Sequence, residues 1–291
     1  MLNNLGRNDL CWCGSKKKYK KCHNSIDEMI NSYQLQGYVV PGRELIKTDE
    51  QIFGIRESGK INTTILDYVA EYIKPGISTE DINELIYYIT RKLNAIPAQL
   101  GYEGFPKSVC TSINNQVCHG IPSKDVILHE GDIVNVDVST IYNGYYSDSS
   151  RMFCIGRVDK EKTKLIEVVK ECVKLGLEEV RPGGLLGNMG YAIHKHAIKN
   201  GYSVVRDIGG HGIGLEFHED PWISYVSEKN TGMLMVPGLV FTIEPMINMG
   251  TDEVFLDKAN NWTIYTADGK PSAQIEVMVL VTSNGYEILA N

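Results

Sequence analysis

Residues 131–153 read GDIVNVDVSTIYNGYYSDSSRMF, and the fold turns on this stretch. Asn143-Gly144 interrupts two alternating runs of β-prone residues. An Asn-Gly pair in that position signals a two-residue hairpin, because both residues accept positive φ. With Tyr142 paired to Tyr145, Asp137 faces Ser150 and Asp148 faces Ser139. The two aspartates then share one face as diagonal neighbours, about 7–8 Å apart. Val134, Val136 and Val138 turn to the opposite face and build core. Two carboxylates that close repel and raise each other's pKa unless a cation lies between them. The hairpin predicts both a sheet and a cation site.

Two glutamates extend the argument. Glu244 lies in Leu-Val-Phe-Thr-Ile-Glu-Pro-Met-Ile and Glu276 in Ala-Gln-Ile-Glu-Val-Met-Val-Leu-Val, segments whose other residues suit a buried strand. An unpaired buried carboxylate is costly, and neither segment holds a Lys or Arg to offset it. A divalent metal is the economical partner. His211 joins them in Gly209-Gly210-His211-Gly212-Ile213-Gly214, where the glycines imply close backbone approach. That run lacks the Lys-Ser/Thr of a phosphate loop. His119 in Val-Cys-His-Gly-Ile-Pro and His218 in Phe-His-Glu are further candidates.

Around these residues the helical pattern occurs twice. Thr48 can cap a helix with apolar residues at Ile52, Ile55, Ile61, Ile65, Leu66, Val69 and Ile73, stopped by Pro75-Gly76. Ser78-x-x-Asp81 reads as a capping box that opens a second helix. A like pair follows, first from about Leu165 to Val180 and then around Met189 to Ile198, separated by Arg181-Pro182-Gly183. The two Pro-Gly stops lie 107 residues apart. Strand-like segments follow each pair, which predicts two α/β halves closing around a shared sheet, with a ligand site between them.

The N-terminus is unlike the rest. Residues 7–23 read RNDLCWCGSKKKYKKCH, so Cys11, Cys13, Cys22 and His23 offer three sulfurs and an imidazole, the ligand set of a closed zinc site. So short a stretch buries no core and needs its metal to fold. Lys16, Lys17, Lys18, Lys20 and Lys21 make it basic, whereas the 291-residue chain carries a net charge of −7. That balance argues against nucleic acid or an anionic membrane as a partner of the whole body. The longest apolar run, Val277–Val281, is far too short to span a bilayer. The first residues do not form a signal peptide, so the expected compartment is the cytoplasm, and the seven cysteines are expected to be thiols or metal ligands. Residues 25–44, with Gly37 and Pro41-Gly42, read as a connector between a 1–24 module and a domain over 45–291.

These motifs carry two resemblances. Gly6-Arg7-Asn8-Asp9, Cys11-x-Cys13-Gly14-Ser15 and Lys18 to His23 resemble the SEC-C motif, which implies a structural zinc on Cys11, Cys13, Cys22 and His23. Leu10 stands where that motif usually has proline. From about residue 45 to 290 the chain resembles the type I methionine aminopeptidases, through PKSVCTSIN-x-x-VCHGIP, GDIVNVDV, GGHGIG-x-x-FHE-x-P and FTIEPM.

The second resemblance implies the pita-bread fold, two pseudo-symmetric α/β halves around a central antiparallel sheet. It also implies removal of the initiator methionine from nascent chains, with a small second residue preferred. Asp137 would hold one divalent ion and His211 and Glu244 another, with Asp148 and Glu276 bridging; Co, Mn, Fe or Zn would suit such ligands. Glu244 would act as general base, and His119 and His218 would contact substrate near the scissile bond. Tyr102, Phe105, Cys110, Phe217 and Trp262 would line the methionine pocket. Glu103 departs from the pattern, since many bacterial relatives have histidine there. A monomer is implied, and the basic module suggests the ribosome as an anionic partner. Two rivals remain: a proline-specific aminopeptidase of the same fold, and a non-catalytic ribosome-binding protein built on it.

Overall fold

The hairpin forms in the register that its turn dictates. Ile133–Tyr142 and Tyr145–Cys154 run antiparallel, with Tyr142 opposite Tyr145, Asp137 opposite Ser150 and Asp148 opposite Ser139. Asn143 and Gly144 take φ of 50° and 83°, the left-handed pair that this turn requires. In the computed structural model, which describes residues 5–291, Ile133–Tyr142 also pairs with Ile96–Pro97 and Cys110–Ile113. A second antiparallel sheet runs in the order Tyr286–Ala290, Val277–Val281, Val240–Ile243, Gly210–Gly212, Glu219–Ile223. An antiparallel bridge between Ser150 and Glu276 joins the two sheets.

Among the described residues, five α-helices surround them: α1 (Asn24–Leu35), α2 (Asp49–Tyr72), α3 (Thr79–Lys92), α4 (Lys160–Glu178) and α5 (Leu186–Lys199). Both expected caps are present. Thr48 and Gln51 form a capping box on α2, and Ser78 and Asp81 form one on α3. Ile65, Leu66 and Val69 of α2 and Ile82 and Ile86 of α3 bury against Val134, Val136 and Val138. Leu165, Val169 and Cys172 of α4 and Met189 and Ile193 of α5 bury against Phe241, Ile243, Val277 and Val279. Each helix pair thus covers the apolar face of its own half, and the carboxylates are left on the other face.

The repeat is visible in the backbone. Gly76 and Gly183, which end the first helix of each pair, both take positive φ, 92° and 80°. The bridges Ser78–Ile127 and Leu185–Leu234 are related by the same 107-residue offset. So are Asp137 and Glu244. The mixed α/β architecture therefore has the pseudo-symmetric form expected of it. Among the described residues, no helix is long and apolar enough to cross a membrane.

Residues 25–44 are more ordered than a connector. They include most of α1, whose Ile26, Met29, Ile30 and Tyr33 follow a helical spacing too short to stand out in the sequence. Ile30 and Ile46 bury with Leu185, Leu234 and Val236 of the second half, and the Tyr33 hydroxyl donates to Gly183 O at 3.1 Å. Tertiary packing, rather than helix propensity, stabilises this segment.

Candidate active site

The strand registers align the acidic side chains in one row. Asp137 faces Ser150, and Ser150 bridges to Glu276. Val277 faces Ile243, so the next step along both chains brings Glu276 beside Glu244. Residues opposite one another point to the same face. Asp148 joins the row from two positions along the hairpin, where Ser139 Oγ donates to its Oδ1 at 2.8 Å.

His211 comes from the short strand Gly210–Gly212, and the glycines there have a steric cause. A Cβ at Gly210 would lie 2.1 Å from the Tyr225 hydroxyl, and one at Gly212 would lie 2.1 Å from Asp220 O. Only glycine lets the neighbouring strands close around the histidine. Ligand atoms of Asp148, His211 and Glu276 all fall within 4.8 Å of one another. Glu244 Oε1 lies 3.7 Å from His211 Nε2, and Asp137 lines the same cavity as Asp148. The five side chains expected as ligands from the sequence all line one cavity.

The electrostatics fit a divalent cation. Burial pushes Asp137 up to about 7 and Glu244 up to about 8. Burial, together with the neighbouring carboxylates, holds Asp148 and Glu276 well above the usual carboxylate range. His211 moves the other way, to about 4, because burial penalises its cation and His218 lies close by. Oδ1 of Asp137 and Oε1 of Glu276 are buried without a hydrogen-bond partner. Among the described residues, no Lys or Arg forms an ion pair with these four carboxylates. Four acids, a neutral imidazole and orphaned oxygens suit one or two divalent ions.

The ligands open into a cavity of about 710 Å³. Tyr102, Phe105, Cys110, Phe217 and Trp262 all line it, as do His119 and His218. Tyr102 meets Phe217 edge-on at 4.7 Å, and Phe105 meets Trp262 at 5.1 Å. His119 takes a left-handed φ of 55°, and burial lowers its pKa to about 4. Its ring lies 6.1 Å from that of Trp262. The His218 ring lies tilted 4.2 Å from that of His211, and its Nδ1 shares a 2.9 Å hydrogen bond with the Tyr102 hydroxyl. Burial also raises the Cys110 thiol well above its usual range, which keeps it neutral. Glu103 is exposed on the wall of this cavity.

Sequence reasoning missed the residues that orient the ligands. Thr242 Oγ1 donates to Glu244 Oε1 at 2.7 Å, and Gln274 Nε2 donates to Glu244 Oε2 at 3.0 Å. The Tyr225 hydroxyl accepts from Glu244 N at 2.8 Å, and Gln99 Nε2 donates to Asp137 O at 3.0 Å. A signal was present for two of these groups and for Ser139. Ser139, Thr242 and Gln274 each lie two residues from a ligand, on the same strand face, where an apolar residue would otherwise be usual.

A second cluster lies in the N-terminal module. Cys11 Sγ and Cys22 Sγ are each 3.2 Å from His23 Nδ1, and Cys13 Sγ is 3.5 Å from Cys22 Sγ. With Zn–S bonds of about 2.3 Å, ligands at tetrahedral corners stand roughly 3.7 Å apart. The donor set and its spacing thus fit a tetrahedral ion. All seven cysteines are free thiols.

Residues 54–283 match metallopeptidase family M24, and residues 7–25 match the SEC-C motif. The methionine aminopeptidase of Rickettsia prowazekii is 46% identical over 243 residues, which cover 84% of this chain and 93% of that protein. The methionine aminopeptidase of Chlamydia muridarum is 42% identical over 288 residues, 98% of each chain, so this likeness includes the N-terminal module. The crystal structure of the Rickettsia prowazekii enzyme superposes with a TM-score of 0.83 at 45% identity, covering 84% of this chain and 99% of that one.

Proposed function

This chain belongs to metallopeptidase family M24, and from that premise we propose that it is a methionine aminopeptidase that removes the initiator methionine from nascent polypeptides. The observation that carries the reading is one cavity in which four carboxylates and an imidazole adjoin an aromatic pocket. Asp137, Asp148, His211, Glu244 and Glu276 would hold the divalent metal there. When bound, the metal supplies Lewis acidity, which lowers the pKa of water and polarises a carbonyl.

The chain's own residues supply the remaining steps. Tyr102, Phe105, Cys110, Phe217 and Trp262 enclose the apolar methionine side chain. Glu244, oriented by Thr242 and Gln274, accepts a proton from the attacking water as its oxygen bonds to the scissile carbon. That proton passes to the departing amine as the C–N bond breaks. His119 is neutral at pH 7, since burial holds it near 4, so it serves as an uncharged hydrogen-bonding group for the carbonyl oxygen. His218 uses Nδ1 on Tyr102, which leaves Nε2 for the substrate. A small second residue passes most easily between these two imidazoles.

The N-terminal module holds one zinc on Cys11, Cys13, Cys22 and His23, and its lysines suit the ribosome, where nascent N-termini emerge. The enzyme acts in the cytoplasm as a monomer. Its function is tested with a Met-Ala-Ser peptide beside an Ala-Pro peptide, with chelator and after readdition of a divalent metal. Release of methionine, abolished by chelator and restored by metal, is the expected result. Cleavage of the Ala-Pro peptide alone would indicate a proline-specific enzyme. Turnover of neither by the reloaded protein would leave a binding protein.

A further inference from the structure

Trp222 lies directly opposite His211 in the sheet, so its side chain shares the face that carries the metal-ligating groups. It lines the same cavity, yet it is 59% exposed, whereas Phe105 and Phe217 are 3% and 7% exposed. The two aromatic walls therefore differ in depth. The buried one encloses the methionine pocket, and Trp222 stands at the mouth. Gly209 allows this placement. A Cβ there would come 2.2 Å from Ile223 O and 3.1 Å from the indole Cε2, so only glycine lets the ring settle against that backbone.

The surroundings of the indole carry charge of one sign. Asp220 lies two residues before Trp222 on the same strand, is likewise exposed and also lines the cavity. Glu103, on the turn Tyr102–Gly104, is the other exposed acidic residue of the wall, and no Lys or Arg lines the cavity. An open indole that shares its cavity wall with two exposed carboxylates matches a side chain with an apolar stem and a cationic head. The stem lies on the ring, while the head gains from both the π-face and the acids.

A peptide whose first side chain fills the buried aromatic end, and whose second residue crosses the metal ligands, must leave through this mouth. We propose that Trp222 is a specificity-determining residue that receives the third side chain of the substrate, with Asp220 and Glu103 favouring Lys or Arg there over Asp or Glu. The proposal rests on the aminopeptidase reading and deepens it.

The test measures kcat/KM for Met-Ala-Lys-Ser, Met-Ala-Leu-Ser, Met-Ala-Glu-Ser and Met-Ala-Gly-Ser, using the metal-loaded full-length enzyme. The wild type is expected to prefer Lys to Glu by about tenfold at low salt, and by less at high salt. Relative to the Gly peptide, Trp222→Ala should lower the Lys and Leu peptides roughly fivefold, the size of one aromatic contact. Trp222→Phe should retain most of the preference. Asp220→Asn should narrow the Lys-to-Glu ratio alone, and this variant decides the matter if Trp222→Ala fails to fold. Ratios that are the same in the wild type, Trp222→Ala and Asp220→Asn would overturn the proposal. A wild-type enzyme that releases methionine from none of the four peptides would instead overturn the aminopeptidase reading.

Discussion

Gln274 Nε2 donates to Glu244 Oε2 at 3.0 Å, so a neutral amide, not a cation, orients the carboxylate read here as the general base. Gln274 belongs to the same strand face as Glu276 and is itself buried. Replacing it with Met keeps the volume but removes the donor. Outer-shell partners of metal ligands are typically worth about 10- to 100-fold in affinity or activity. Gln274→Met is therefore expected to weaken divalent-metal binding by that order, read by calorimetric titration, with kcat falling in parallel. Wild-type affinity in this variant would remove Gln274 from the site.

The carboxylate cluster makes a pH prediction about the metal-free protein. Folded Asp137 titrates at about 7 against an ordinary 3.8, and folded Glu244 at about 8 against 4.5. A raised folded-state pKa means that the folded protein holds these protons more tightly than the unfolded chain does. The stability they contribute is whole below about pH 4 and is lost as the pH climbs through about 7 to 8. Metal takes the place of those protons, so the loaded protein escapes this loss. The gap in Tm between loaded and chelated protein should thus widen from pH 4 to 8. A gap independent of pH would show that these two carboxylates are not the metal's ligands.

Lys47 forms a buried ion pair with Glu219, beside His218. Glu219 Oε1 also accepts from Leu215 N at 2.7 Å and Glu216 N at 3.0 Å, so this one carboxylate organises the turn that presents Phe217 and His218. Lys47→Met leaves a buried charge without its partner, at a cost of roughly 3–5 kcal/mol. Denaturant unfolding should show a loss of that size. Truncating both partners, in Lys47→Met with Glu219→Gln, should recover much of it. A loss below about 1 kcal/mol in the single variant would mean that the pair is solvated.

The N-terminal module can be uncoupled from catalysis. Asp27 is buried, and its Oδ2 accepts from Trp12 Nε1 at 3.1 Å, the Tyr19 hydroxyl at 2.6 Å and Arg43 Nη2 at 2.7 Å. The first two donors belong to the module. Cys11→Ser should release zinc and melt this corner, which Trp12 fluorescence would report, while turnover of a short peptide stays near wild type. Loss of that turnover would show that the module supports the site through Ile46 and Lys47.

Much of this protein was legible in local sequence. Thr48 and Ser78 mark helix starts because each cap closes within three residues. Glu244 and Glu276 stand out because carboxylates do not belong in greasy strands without a cation. Helix α1 was missed, since Ile26, Met29, Ile30 and Tyr33 gain their burial from Leu185, Leu234 and Val236, which are distant in the chain. Gln99 was missed for a like reason: a buried amide is recognised by what it touches.

The hairpin register was readable locally, and so was the choice of acidic residues as candidate ligands. A two-residue Asn-Gly turn sets its own pairing, and an acidic residue in an apolar strand announces a cation from its chemistry alone. Only the tertiary structure decided that Asp137, Ser150, Glu276 and Glu244 form one row, and that Trp222 stands across from His211 at the mouth. Those alignments depend on strand pairings between segments as much as 126 residues apart, such as Ser150 and Glu276. Such pairings are settled by the packing of both halves together, which no local pattern encodes.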